Sequence, residues 1–356
     1  MTRARDFANL AGSADAGGLT GRNLIINGAM NVSQRISSST SLTTSLAYYL
    51  DRFKVIKSTS GASATIEQSS TAPANFKNSM LVTITTGAVA GGGDLNYISQ
   101  MLEGQNVSSL SFGTSDAQTV TLSFWVRSSV TGTFSGCLNN GITTASGRTY
   151  PFNYTISSAN TWEKKTITIA GDTTGTWAVD NTAGMQVVWD LGSGSGYAGT
   201  AGSWATSFYP KATSSVDLVA TTGATFYLTG VQLEVGDTAT PLEHRSYGDE
   251  LRRCQRYFQI VEAASNYGLG FWKPHSGVNE FFGVYHYPVE MRATATITHD
   301  TSGNFVHQPN IVIQGGSENF YNSSQRLFAA RIQPTTTHSV SYALFSVTDY
   351  FCDAEL

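Results

Sequence analysis

The chain has 356 residues, a net charge of −4, 13% charged and 40% hydrophobic residues, and 35 Gly. About a quarter of an ordinary globular chain is charged, so this surface is polar but largely uncharged, and it lacks the clustered Lys and Arg of a broad nucleic-acid interface. The 11% of aromatic residues excludes a disordered chain, and no apolar run approaches the roughly 20 residues of a membrane helix.

At about 100–200 residues per domain, the length predicts two domains or one large β domain. Residues 1–22 begin with basic Arg3 and Arg5, followed by a short helical stretch over Asp6–Leu10 and a Gly/Ala/Ser-rich run. No apolar h-region follows the basic start, so no secretory signal is expected. The composition predicts a flexible arm of the kind that orders on docking.

From Asn23 onward, short runs of Val, Ile, Thr and aromatics alternate with Gly, Ser and Asn turns. Strands are expected at Asn23–Ile26, in DRFKVIK, in MLVTIT from Met80, and in TVTLSFWV from Thr119, where Val120, Leu122, Phe124 and Val126 share a face. Further strands are expected in WEKKTITI from Trp162, in MQVVWDL from Met185, and in FYLTGVQLEV from Phe226, with a bulge at Gly230. Many short strands of this kind predict an all-β sandwich, a jelly roll, over 23–246. One amphipathic helix follows, over 247–262. Leu251, Cys254, Phe258 and Val261 recur at helical spacing, and Ser246 with Asp249 forms a capping box. Such a helix suits a connector, a trimer contact or a cover for its own domain. Residues 263–356 return to β patterning and predict a smaller C-terminal β domain.

Catalytic signatures are missing: there is no HExxH, P-loop or strand-linked GxGxxG. Ser195 in the GSGSG run 192–196 has Gly on both sides, which is out of frame for a nucleophile elbow. His286 and Glu290 are separated by Pro288 in a strand-like segment, so no metal site is expected there. Cys137, Cys254 and Cys352 are odd in number and widely separated, and are expected as buried free thiols. Asp94, Glu103, Asp180, Asp190, Glu280, Glu290 and Glu318 supply carboxylates, but no spacing singles out the pair that glycoside hydrolysis requires. No cofactor is expected.

Aromatics carry the stronger signal. The Gly/Ser-rich segment 192–210 holds Tyr197, Trp204, Phe208 and Tyr209, and the C-terminal region holds Trp272, Tyr285 and Tyr321. A flat amphipathic ring suits the apolar C–H face of a sugar, and long loops on a rigid sandwich are where binding resides. Tyr197, Trp204, Tyr209, Trp272, Tyr285 and Tyr321 are therefore the candidate carbohydrate contacts. Core or subunit contacts are the competing role for each.

Several strings resemble a known group. NLIINGAMNVSQR (23–35), YYLDRFKV (48–55), TLSFWVRSSVTGTF (121–134), NTWEKKTITIAGDTTGTW (160–177) and above all FYLTGVQLEVGDTATPLEHRSYGDELRRCQRYF (226–258) resemble phage tail-fibre and virion structural proteins with a carbohydrate-binding-module-like jelly roll. The terminal DAEL (353–356) resembles the end of such chains. The resemblance implies a homotrimer on the virion, made in the host cytoplasm. It implies an arm that docks to the tail or baseplate through Arg3, Arg5, Phe7 and Leu10, and a distal 263–356 head that adheres to host polysaccharide or lipopolysaccharide. Avidity from three copies would strengthen weak sugar contacts. One departure stands out: Asn27-Gly28-Ala29-Met30 has no carboxylate where related modules carry one for structural calcium, so no metal is expected. A capsid or tail decoration protein and a polysaccharide depolymerase are the other classes considered.

Overall fold

A computed structural model describes residues 21–42, 47–261, 271–274, 281–299, 305–307, 311–313, 316–321, 324–334, 343–344 and 350–356. The arm residues Arg3, Arg5, Phe7 and Leu10 lie outside the described residues. The chain divides into two compact units, Met1–Glu250 with Leu356, and Leu251–Glu355.

The first unit is a sandwich of two antiparallel sheets. The six-stranded sheet runs β1 (Thr40–Ser41), β4 (Ser63–Ser69), β5 (Ser79–Thr86), β15 (Thr225–Val235), β7 (Val120–Ser128) and β10 (Glu163–Ile169). The seven-stranded sheet runs β13 (Ala205–Thr206), β9 (Arg148–Ile156), β8 (Gly132–Asn139), β11 (Ala183–Asp190), β6 (Asn96–Glu103), β3 (Phe53–Lys57) and β2 (Ala47–Leu50). A small parallel pair, β12 (Ala198–Gly199) with β14 (Lys211–Ala212), completes it.

Alternation explains the core. Val120, Leu122, Phe124 and Val126 point inward from β7 and are fully buried. They meet Trp189 of β11, Phe134 of β8 and Tyr154 of β9 in one cluster. Phe124 packs edge-on against Trp189 at 5.7 Å and against Tyr154 at 5.1 Å, the geometry that ring quadrupoles favour. Gly230 does form the expected bulge. The pairing of β15 with β7 shifts between Thr229 and Gln232, and Gly230 sits at φ +62°, which a side chain disfavours.

Asn23–Ile26, expected as a strand, is instead an irregular segment. Its polar groups are claimed individually rather than by a ladder. Asn23 Nδ2 donates to the Val231 carbonyl, Leu24 N to the Leu233 carbonyl, and Ile26 N to Gln100 Oε1. The string 243–250 closes over it. Arg245 donates to the carbonyls of Ile25 and Asn23, Glu243 accepts from Gly21 N and Asn23 N, and Glu250 accepts from Asn27 N. Residues 23–27 and 243–250, from two of the strings that carry the sequence resemblance, thus form a clasp beside β15 and β6.

The helix spans Tyr247–Gln255 and begins with the expected capping box: Ser246 Oγ accepts from Asp249 N at 3.2 Å and donates to its carboxylate at 2.7 Å. It does not reach 262. Phe258–Val261 is a strand, β16, because its aromatic and β-branched residues pair with β25 (Tyr350–Asp353), burying Phe258 and Gln259. The second unit places β25 between β16 and β19 (Thr296–His299). Its five-stranded sheet runs β22 (Gly316–Tyr321), β23 (Leu327–Pro334), β18 (Phe281–His286), β17 (Phe271–Pro274) and β24 (Ala343–Leu344), beside a hairpin of β20 (Phe305–His307) and β21 (Ile311–Ile313).

Candidate functional site

The segment 192–213 is the most elaborate excursion of the sandwich. Asp190, at the end of β11, starts it by accepting from Gly192 N and Ser193 N at 3.1 and 2.9 Å. Burial pushes the Asp190 carboxyl up to about 6, against the opposing pull of these hydrogen bonds and of Lys211. Lys211 Nζ donates to the Ser193 carbonyl at 2.8 Å, tying the far end of the segment to its start.

The segment then covers the outer face of the seven-stranded sheet. Tyr97, Cys137 and Val188 alternate with the core residues Ile98, Leu138 and Val187, so they point away from the sandwich interior. Phe208 and Tyr197 pack over them with Ile56. Phe208 lies edge-on to Tyr97 at 6.0 Å and to Tyr197 at 6.3 Å. Tyr209 lies against Gly199, where an added Cβ would come within 2.8 Å of its side chain. Tyr197 and Tyr209 therefore belong to a roof, with Tyr97 and a buried Cys137 whose thiol burial raises to about 12.

Trp204 goes elsewhere. It closes the open edge between the two sheets, with its Nε1 donating to the Ala170 carbonyl at 2.7 Å. It meets Trp177 at 5.6 Å and 88°, Tyr150 at 5.4 Å and 62°, and the buried Phe112 at 5.9 Å. Trp177 stands on Phe112 at 4.8 Å and donates from Nε1 to the Thr174 carbonyl. Trp177, Trp204 and Tyr150 remain half-buried.

A charged pair borders these rings. Arg148 donates to both carboxylate oxygens of Asp172, at 2.7 and 3.0 Å, and to Thr206 Oγ1 at 3.1 Å. Thr174 donates to Asp172 from both its N and Oγ1. Gly175, at φ +79°, presses on the Arg148 stem so closely that an added Cβ would lie 2.5 Å from Cγ. Forked hydrogen bonds and packing thus fix the guanidinium plane.

The three aromatic candidates of the sandwich do not converge. Tyr197 and Tyr209 line the roof, and Trp204 stands at the sheet edge. Tyr285 is a correction: it is 9% exposed and packs against Tyr350 at 5.8 Å, so it serves the core of the second unit rather than an exposed platform. Trp272 lies in β17 and Tyr321 in β22; their side chains are outside the described residues. Sequence reasoning missed Trp177, Tyr150, Arg148 and Asp172. The signal for Trp177 was there, since it sits in a Gly/Thr-rich loop just as Trp204 does.

The carboxylates are engaged locally. Asp94 accepts from Gly91 N, Glu103 from Gln105, Asp180 from Thr182, and Glu290 pairs with Arg326. The side chains of Glu280 and Glu318 lie outside the described residues. Among the described residues, no group of three or more His, Cys, Asp or Glu gathers as a metal site.

No protein-family model and no curated protein matches the chain. Solved structures are similar to about three-fifths of the chain at low identity. The enzymatically active domain of tailspike protein 4 from bacteriophage CBA120 shares 12% identity over 60% of this chain and 21% of its own, with a TM-score of 0.30. A protein described as sugar-binding from Bacteroides thetaiotaomicron shares 12% over 60% of this chain and 100% of its own, at 0.36. The C-terminal family 22 carbohydrate-binding module of Clostridium thermocellum Xyn10B shares 12% over 62% of this chain and 99% of its own, at 0.32. The chain thus spans about a fifth of the tailspike domain and nearly the whole of the other two.

Proposed function

We propose that this chain is a non-enzymatic carbohydrate-binding protein whose sandwich presents Trp177, Trp204 and Tyr150 to a sugar chain. One observation carries the reading. Two indoles and a phenol stand half-exposed at steep mutual angles, braced by buried Phe112 and by both Nε1 hydrogen bonds, beside an Arg148–Asp172 pair held in place. Rings fixed in this way offer an apolar face to sugar C–H groups without losing side-chain freedom on binding. The neighbouring Thr and Arg groups supply the polar contacts that orient a ligand.

The finer role, a homotrimeric tail-fibre-like virion protein adhering to host-surface polysaccharide, is part of the proposal and is supported by the resemblance of 23–35 and 226–258. In it, residues 1–22 dock to the tail or baseplate.

The test uses the full chain. Affinity electrophoresis in gels containing envelope polysaccharide from a panel of bacteria should retard the wild type. Trp177→Ala should weaken retardation about tenfold, the share of binding expected of a central aromatic anchor, with circular dichroism unchanged. Pre-incubating host cells with the protein should block phage adsorption. Retardation that survives both Trp177→Ala and Trp204→Phe overturns the site, and release of reducing ends overturns the non-enzymatic reading.

A further inference from the structure

The outer face of the six-stranded sheet carries a second constellation, unrelated to the segment 192–213. Strand register places Glu67, Leu81, Tyr227 and Arg127 in one row across β4, β5, β15 and β7. With strands about 4.8 Å apart, the row is about 14 Å long. Thr65, Thr83 and Thr225 form a parallel row beside it. On the other side, Trp125 lies opposite Thr229 and Lys164. These residues alternate with the buried Ile66, Val82, Phe226 and Val126, so they face away from the core.

Two contacts make this face more than a polar sheet surface. The Arg127 guanidinium lies over the Tyr227 ring, 5.0 Å from its centroid. Trp162 meets the same ring edge-on at 5.9 Å. All three are half-buried. Arg148, Arg245 and Arg326 are each paired with carboxylates. Among the described residues Arg127 has none: its recorded contact is the aromatic ring, and its Nε is buried without a hydrogen-bond partner. The nearest charged group placed on this face by register is Lys164, with the same sign, while Glu67 is three strands away. An unneutralised guanidinium, partly desolvated against π-faces, attracts an anion more strongly than a hydrated one does. The rings beside it fit a pyranose, and the threonine row supplies uncharged hydroxyls.

We infer that this face binds a carboxylate-bearing sugar, with Arg127 donating to the carboxylate and Trp162 and Tyr227 packing on the ring. The inference goes beyond the site at Trp177 and Trp204: it concerns the other sheet and an acidic rather than an unspecified sugar.

Calorimetric titration of the full chain tests it with three probes. They are an oligogalacturonate, its methyl ester, and sialyl-lactose as a second source of the carboxylate. At least one acid should bind. The ester should bind about tenfold more weakly than its parent acid if the uronate is the ligand, as expected for losing a charge-assisted contact. Arg127→Gln should remove the acid's advantage, and Tyr227→Leu should weaken binding severalfold. Arg253→Gln, which deletes the same charge at an exposed helix position, should change nothing. The inference fails if neither acid binds, if Arg127→Gln leaves acid binding intact, or if Arg253→Gln acts as strongly. Retardation by neutral polysaccharide that depends on Trp177 is measured separately, so either site can fail while the other stands.

Discussion

The two sheets of the sandwich treat their outer faces in opposite ways. In the seven-stranded sheet, β6 is buried at every position and β11 at every position after the first. In the six-stranded sheet, Lys164, Thr166 and Thr168 of β10 are exposed and alternate with more buried neighbours. The difference is the 192–213 segment, which lays Phe208 and Tyr197 over one face; on the other face Thr121, Ser123, Gln232 and Glu234 are buried at one end, while the end that carries Thr65, Tyr227 and Arg127 stays partly exposed. A strand covered on both sides loses the period-2 signature, so NYISQMLE carries Ser99, Gln100 and Glu103 into full burial. The covered face builds a second small core; the open one keeps aromatic and charged groups available to a ligand. Under the proposed acidic-sugar site, stability and recognition would be divided between the faces.

Both faces depend on the clasp that bridges the sheets, and breaking it should have the largest effect. The Arg245 side chain is 6% exposed and holds the carbonyls of Asn23 and Ile25 between Glu243 and Glu250. Arg245→Met leaves two carboxylates without their cation and two carbonyls without a donor. Removing one partner from a largely buried ion pair destabilises by about 3–5 kcal/mol, and a comparable loss should appear in urea unfolding. Next is the roof. Phe208→Ala should cost about 3 kcal/mol, the lower end for a buried Phe truncation, because its cluster is small. Unfolding midpoints read both.

The roof also has a pH signature. Asp190 has an ordinary carboxyl value of 3.8 when exposed and about 6 when folded. The folded state therefore holds its proton to higher pH than the unfolded state does. Stability contributed by this group is greatest below about pH 4 and falls as pH rises towards 6, by about 3 kcal/mol in total. Asp190→Asn should flatten that part of the stability curve, so the variant gains on the wild type between pH 4 and pH 7. Parallel curves for the two proteins would mean that Asp190 is ionised without penalty.

Much of the sandwich was legible because one-sided strands announce themselves. Val120, Leu122, Phe124 and Val126 made β7 legible, and Gly230 marked the bulge of its neighbour β15. The capping box of Ser246 and Asp249 marked the start of the helix, but its end was not legible. Phe258 and Val261 continue the helical spacing, and only their pairing with distant β25 makes them a strand. Tertiary pairing overrode local pattern there. The candidate sites were half legible. Trp204 was visible as an aromatic in a Gly/Ser-rich loop, yet its companions Tyr150 and Trp177 come from other parts of the chain. Tyr285 was misleading because a buried Tyr and an exposed Tyr look alike in a strand. The strongest sequence string, 226–258, proved to be architecture in its 243–250 portion: its Glu and Arg bind the chain's own backbone.

The smallest expected effect is the sharpest test of the comparison. If the open face exists for a ligand, its side chains should matter little to folding. Tyr227 is half-buried, and its partners Arg127 and Trp162 are too. Tyr227→Leu keeps a branched apolar side chain on β15 and the backbone ladder to β5 and β7 intact. The variant forfeits the cation–π contact and one edge-on ring contact, each worth about 0.5–1 kcal/mol at exposed sites. Leu covers part of the same area, so the expected destabilisation is about 1 kcal/mol or less, well below that of Phe208→Ala. A loss equal to that of Phe208→Ala would make the row a third core cluster and remove the reason to regard the two faces as differently employed. A small loss combined with weaker binding of the acidic sugar would place Tyr227 on the recognition side of that division, because the same substitution would then separate what holds the sheet together from what the sheet holds.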